Sequence, residues 1–76
     1  MDIIKIDGSF IRDLLTDPMS HAIVRAVTSI GHERGAQVTA EWVASDEIVQ
    51  ALIEIGVDYG QGFALHMPEA APFVQP

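Results

Sequence analysis

Cysteine is absent from this sequence and basic residues are few, and both features exclude classes of protein. Without a cysteine among its 76 residues, the chain can form neither a disulfide framework nor a thiolate metal site, and it suits a reducing compartment. Lys and Arg number 4 against 11 Asp and Glu, for a net charge of −7. A nucleic-acid polymer is therefore an unsuitable partner, because neutralising its phosphates requires basic side chains.

Long apolar runs are also absent. None approaches the roughly 20 residues that a membrane helix requires. The start of the chain, Met1-Asp2, is acidic and lacks the basic region of a secretory signal. We therefore expect no membrane insertion.

What the chain does have is an unusually apolar composition for its length. Hydrophobic residues make up 49% of the sequence. A domain of this size buries only about 60% of its unfolded surface, so a lone core would be marginal. The composition favours a segment of a larger body.

Local patterns in the first half predict a strand followed by two helices. Asp2 to Ile6 is an apolar, isoleucine-rich run typical of a strand. Ser9 is expected to cap a short helix that runs as far as Leu15. Asp17 then caps a longer helix over residues 19–34, with Pro18 at its first position and Gly35 just beyond its end.

The second half repeats this alternation. Residues 37–41 read as a strand, and Ser45 caps a helix that Gly56 closes. Residues 57–65 contain a third strand, and the tail at Pro68-Glu69-Ala70-Ala71 begins like a helix, which Pro72 opposes.

The order strand, helix, strand, helix, strand predicts parallel pairing through right-handed crossover helices. Parallel sheets are normally covered on both faces, and these few helices cannot cover both. The expected fold class is therefore α/β, a βαβαβ fragment of a larger parallel body.

Polar residues lie at the predicted strand ends, which share one edge in a parallel sheet. Lys5 and Asp7 end the first strand, Glu41 ends the second, and Gln61 lies in the third. A lysine can hold an anionic phosphate, a glutamate can bind a hard cation or accept a proton from water, and a glutamine can orient a base. An ordinary Lys5–Glu41 ion pair is the alternative. For Asp7 the two readings are a neighbour of a metal and a residue that orders the loop at Gly8-Ser9, and we expect the second.

Three segments resemble one protein family. Lys5-Ile6-Asp7-Gly8-Ser9-Phe10 is similar to the KIDxSF strand of EAL domains, the bacterial cyclic di-GMP phosphodiesterases. Ala40-Glu41-Trp42-Val43-Ala44 resembles their AEGVE strand end, and Asp58-Tyr59-Gly60-Gln61-Gly62-Phe63 their DYxQGY/F segment. The order and the separations also match.

The resemblance implies that the chain, residues 1–76, is a partial EAL domain that supplies the sixth to eighth strands of a modified (β/α)8 barrel. In the complete family, magnesium or manganese ions activate a water that cleaves cyclic di-GMP to linear pGpG in the bacterial cytoplasm. Lys5 matches the lysine near the metal-bound water or phosphate. Glu41 matches a metal-binding or basic glutamate, and Gln61 matches a glutamine near the substrate.

Departures from the family pattern are also visible. Trp42 replaces a glycine, Ala44 replaces a second glutamate, and the EAL triplet and the DDFG aspartates are missing. One carboxylate does not satisfy a hard cation, so we expect no bound metal and no hydrolysis by the chain alone.

Two other functions remain open: a degenerate cyclic di-GMP-binding regulatory module, and a self-associating module. Unpaired sheet edges invite pairing with another chain, so we expect a homo-oligomer. Trp42 either covers the site or forms a contact between chains.

Overall fold

The computed structural model describes residues 2–62 and 67–73, with residues 67–70 described by their backbone alone. Within these ranges the elements are strands β1 (Ile3–Ile6), β2 (Gln37–Ala40), β3 (Tyr59–Gly62) and β4 (Met67–Pro72), and helices α1 (Gly8–Arg12), α2 (Pro18–Glu33) and α3 (Asp46–Ile55). The strands form one sheet in the order β1-β2-β3-β4.

The first three strands pair in parallel, as predicted. Lys5 lies opposite Thr39, and Thr39 lies opposite Tyr59. Helices α2 and α3 connect successive strands, so each connection is a crossover. The predicted end of the third strand, residues 63–65, lies outside the described residues.

The tail is a strand, and the expectation of a helical start there was wrong. Strand β4 runs antiparallel to β3, with Tyr59 opposite Pro72 and Gly60 opposite Ala71. An edge strand tolerates proline because one row of its N–H groups needs no partner in the sheet. The backbone N–H of Phe73 donates to the Asp58 carbonyl at 3.1 Å, and the Phe73 side chain is buried.

Local capping explains where the longer helices begin and end. The Asp17 carboxylate accepts from the Met19 backbone N–H at 3.0 Å, with Pro18 in the first turn. The Ser45 hydroxyl accepts from the Ile48 N–H at 3.2 Å, and Gly56 ends α3 with a φ of 101°. These caps are the predicted ones.

The first helix begins two residues earlier than expected. Asp7, not Ser9, is its N-cap, and the Asp7 carboxylate accepts from both the backbone N–H and the hydroxyl of Ser9. Ser9 therefore donates to the cap instead of forming it. The expectation that Asp7 orders this loop is confirmed.

The core lies between the sheet and its helices. Val24 from α2, Val38 and Ala40 from β2, and Leu52 from α3 are fully buried. Gly31 of α2 sits directly on the sheet, since a Cβ there would lie 2.8 Å from Ile4 Cδ1 and 3.1 Å from Val38 Cγ2. Ile4 and Val38 thus point toward the helices.

Side chains alternate along a strand, so Lys5 and Ile3 lie on the opposite face. Ile3 is 61% exposed, and Lys5 is exposed as well. No helix in the described part of the chain is long and apolar enough to cross a membrane.

Candidate active site

The carboxyl edge of the parallel strands holds the polar residues identified from the sequence. The register Lys5–Thr39–Tyr59 defines one face of the sheet. Two positions beyond Thr39 is Glu41, and two positions beyond Tyr59 is Gln61. Strand alternation therefore assigns Lys5, Glu41 and Gln61 to register positions on the face that does not meet the helices.

Backbone hydrogen bonds tie these segments together at the edge. The Glu41 N–H donates to the Ile6 carbonyl at 3.3 Å, which holds the residue after β2 against the end of β1. The Val43 N–H donates to the Gln61 carbonyl at 2.8 Å, which joins the following loop to β3. Glu41 and Gln61 are half-buried, whereas Lys5 is exposed.

Gly62 permits this close approach of β3 to the loop. Its φ is 151°, and a Cβ there would lie 2.4 Å from the Val43 nitrogen and 2.5 Å from the Val43 oxygen. Any side chain at this position would push the loop away from β3. The glycine after Gln61 thus helps to fix the position of Glu41 relative to Gln61.

Trp42 has the left-handed backbone that a glycine would accept without strain. Its φ is 62°, and among the described residues no other non-glycine residue has a positive φ. A left-handed conformation costs an L-residue about 1–2 kcal/mol. Trp42 is 63% exposed, and its indole lies over Gly8, where a Cβ would be 2.2 Å from Trp42 Cδ2.

Asp7 has a separate local role at the same edge. The hydrogen bonds that it accepts from the Ser9 hydroxyl and backbone N–H lower the pKa of its carboxyl group. Its carboxylate is therefore held by the start of α1.

The described residues do not form a complete divalent-metal site. Within residues 2–62 and 67–73, no group of three or more His, Asp or Glu side chains could hold a metal ion. Glu41 would supply one carboxylate, whereas magnesium and manganese prefer several oxygen ligands.

Asp58 is a residue to which the sequence reasoning gave no role. Its carboxylate accepts from the Val38 N–H at 2.8 Å and lies 2.7 Å from His32 Nε2. The two contacts tie the end of α2 to β2 and to the start of β3. The feature of the sequence that pointed to Asp58 was its position as the first residue of the segment Asp58-Tyr59-Gly60-Gln61-Gly62.

Comparison with known proteins identifies relatives of this chain. The cyclic di-GMP phosphodiesterase PdeA of Borreliella burgdorferi is 38% identical over 69 residues, which are 91% of this chain and 10% of that protein. The chain thus spans about a tenth of the length of the curated relatives that it matches.

Solved structures give the same assignment. A crystal structure of an EAL domain protein from Listeria monocytogenes superposes with a TM-score of 0.81 at 39% identity, covering 95% of this chain and 28% of that one. The PaMucR phosphodiesterase, solved as a c-di-GMP complex, gives a TM-score of 0.82 at 31% identity, covering 93% and 28%. The predicted fold class, a parallel-dominated α/β part of an EAL barrel, is confirmed.

The sequence model of the EAL domain family matches residues 1–68 of this chain. Three matched motifs, the superposition on EAL structures and this match lead to one conclusion: the chain belongs to the EAL domain family.

Proposed function

We propose that this chain forms the sixth to eighth strands of a cyclic di-GMP phosphodiesterase barrel and contributes Lys5, Glu41 and Gln61 to its substrate site. The observation that supports the proposal is the pairing of Lys5 with Thr39 and of Thr39 with Tyr59 on three adjacent parallel strands, from which strand alternation carries Glu41 and Gln61 to the same face at the carboxyl edge. In barrels of this kind, active sites lie at that edge. A similar protein is named a cyclic di-GMP phosphodiesterase, and a similar structure is described as a c-di-GMP complex.

Each residue type suits a part of phosphodiester hydrolysis. Water attacks phosphorus, the bond from phosphorus to one ribose 3′ oxygen breaks, and that oxygen takes up a proton from solvent as the ring opens to linear pGpG. Lys5, the single lysine in a chain of charge −7, stabilises the negative charge that develops on the phosphoryl oxygens. Glu41 accepts the proton that the attacking water loses. The Gln61 amide orients Glu41 or the guanine through paired hydrogen bonds.

We propose further that the 76-residue polypeptide alone does not hydrolyse cyclic di-GMP and binds no magnesium or manganese tightly. The described residues offer too few carboxylates for such an ion. The complete barrel would act in the bacterial cytoplasm and would supply the remaining metal ligands. Incubation of the polypeptide with cyclic di-GMP and either metal should release no pGpG above a chelator-treated control.

The experiment that tests the site replaces the matching segment of the Listeria EAL domain with residues 1–68 of this chain. The hybrid barrel is expected to release linear pGpG, and Lys5→Met should lower its kcat by about 100-fold, typical for loss of one transition-state contact. Arg25→Met, which removes an exposed cation from α2, is the matched control and should leave kcat unchanged. A folded hybrid whose kcat does not respond to Lys5→Met would contradict the proposal.

A second candidate function is binding without hydrolysis, as in a regulatory module. The observation that favours it is Trp42, an exposed ring at the site where the family pattern has a glycine. A hybrid barrel that binds cyclic di-GMP but releases no pGpG, and that gains hydrolysis on Trp42→Gly with Ala44→Glu, would support this candidate.

A further inference from the structure

The loop between Glu41 and Val43 places an aromatic ring between the ends of two strands. Trp42 follows Glu41 directly, and its ring lies on Gly8, two residues beyond the end of β1. Cγ, Cδ2 and Cε3 of the indole lie 2.2 to 2.6 Å from the position that a Gly8 Cβ would occupy. The ring therefore rests on backbone and bridges the loops that follow Lys5 and Glu41.

This support does not bury the ring. Trp42 remains 63% exposed even though a tryptophan is the largest apolar side chain available for packing. Its backbone is also held in the left-handed region at φ 62°. A ring with this little burial among the described residues, held in a conformation that tryptophan disfavours, is a candidate for contact with a ligand.

The residue types assigned to the same carboxyl edge indicate which ligand. A cation at Lys5 suits a phosphate, and an amide at Gln61 suits the edge of a base. An exposed indole suits the flat face of a base, because bases stack on aromatic side chains. Contacts to a phosphate, to the edge of a base and to the face of a base together suit a nucleotide.

Resting on the proposed function, we infer that Trp42 stacks on a guanine base of the cyclic dinucleotide and so sets its affinity for this site. Gly8 belongs to the same arrangement, because the absence of a side chain there lets the indole lie directly on the backbone. Trp42 acts in binding, whereas Lys5 and Glu41 act on the phosphodiester.

Because the chain has a single tryptophan, its intrinsic fluorescence reports on this ring alone. The test titrates the full 76-residue chain with cyclic di-GMP, with the uracil-based cyclic dinucleotide as the weakly stacking control. Free N-acetyltryptophanamide corrects for light absorbed by the nucleotide. The expected result is saturable quenching by cyclic di-GMP and little quenching by the uracil analogue.

Two variants separate stacking from a structural role. Calorimetry should show that Trp42→Gly weakens binding by about 5- to 100-fold, the range for loss of one aromatic partner, whereas Trp42→Phe changes it by less than about fivefold. Urea unfolding should show Trp42→Gly no less stable than the parent chain, because glycine relieves the left-handed strain. A purely structural ring would lower stability and binding together.

Failure of the inference is distinguishable from failure of the proposed function. Unquenched fluorescence, or equal affinity in Trp42→Gly, overturns the stacking role even if the hybrid barrel hydrolyses cyclic di-GMP. A loss of self-association in Trp42→Gly without any quenching also overturns it, and would assign the ring to a contact between copies. Quenching in a chain whose hybrid barrel is inactive leaves stacking intact and contradicts the hydrolytic proposal.

Discussion

Asp58 and Val38 exchange two hydrogen bonds across the start of β2 and β3. The Val38 N–H donates to the Asp58 carboxylate at 2.8 Å, and the Asp58 N–H donates to the Val38 carbonyl at 3.0 Å. His32 Nε2 lies 2.7 Å from the same carboxylate oxygen. One side chain thus fixes the relative position of the two strands that lead to Glu41 and Gln61.

Asp58→Ala should destabilise the fold by about 1–3 kcal/mol, because the N–H of fully buried Val38 would lose its acceptor. Urea unfolding followed by circular dichroism measures this change. Asp13→Ala is the control, since Asp13 pairs with Arg12 on an exposed surface and such pairs contribute about 0–1 kcal/mol. Equal losses in the two variants would argue against the role of Asp58.

Gly62→Ala should lower the free energy of unfolding by about 2 kcal/mol or more, because its Cβ would collide with the Val43 backbone. Gly35→Ala is matched in requiring a positive φ, here 76°, but its Cβ would meet nothing within 4 Å. In this control variant the free energy of unfolding should therefore fall only by the left-handed strain, about 1–2 kcal/mol. If both variants unfold at the same urea concentration, the close approach of Gly62 to the Val43 backbone does not contribute to stability.

The Asp7 cap should make stability depend on pH. Hydrogen bonds from the hydroxyl and N–H of Ser9 lower the pKa of the Asp7 carboxyl below its ordinary value of 3.8. A carboxyl with a lowered pKa stabilises the folded state above its unfolded pKa and loses that contribution as the pH falls through its folded pKa.

Asp7→Asn removes this dependence while keeping an oxygen acceptor. The parent chain should therefore unfold at a higher urea concentration than Asp7→Asn at pH 7, and the gap should shrink below about pH 4. Urea midpoints at pH 7, 5 and 3 measure it. A gap that stays constant down to pH 3 would show that the carboxylate charge plays no part in the cap.

Self-association should depend on the sheet face that carries Ile3. Strand β1 is at the edge of the described sheet, and its first residue, Ile3, is 61% exposed. Apolar surface and an open edge favour pairing with a second copy. We expect a homo-oligomer whose dissociation constant rises about tenfold in Ile3→Lys, since about 1.4 kcal/mol of apolar contact is lost.

Sedimentation equilibrium measures this constant. Ile30→Lys is the control, because Ile30 is equally apolar and 60% exposed but lies on α2. A compact monomer at micromolar concentration would refute the expectation, and so would an equal effect of the two lysines.

Sequence reasoning succeeded where local chemistry decides the structure. Asp17-Pro18, Ser45 and Gly56 each act within a few residues, so the ends of α2 and α3 were predictable. At the first helix, Asp7 and Ser9 are both good caps and only two positions apart. Propensity alone does not rank two such residues.

Strand β4 and the conformation of Trp42 were harder to predict from the sequence, for a different reason. Two prolines and two alanines carry no strand pattern, and β4 forms only because the edge of β3 is available for pairing. Likewise, the left-handed φ of Trp42 depends on the meeting of β1, β2 and β3. The strand-end positions identified Lys5, Glu41 and Gln61 in the sequence and the resemblance implied their roles, whereas their common face required the register between strands.

Lys5 and Glu41 are proposed to act together in one site, and a double-mutant cycle in the hybrid barrel measures the coupling between them. Residues that act as a unit are non-additive, so Lys5→Met and Glu41→Gln together should lower kcat about as much as the more severe single change. The rate of pGpG release from the parent, both single variants and the double variant gives the answer. Two losses that multiply in the double variant, or a fully active Glu41→Gln barrel, would show that Lys5 and Glu41 do not act as one site.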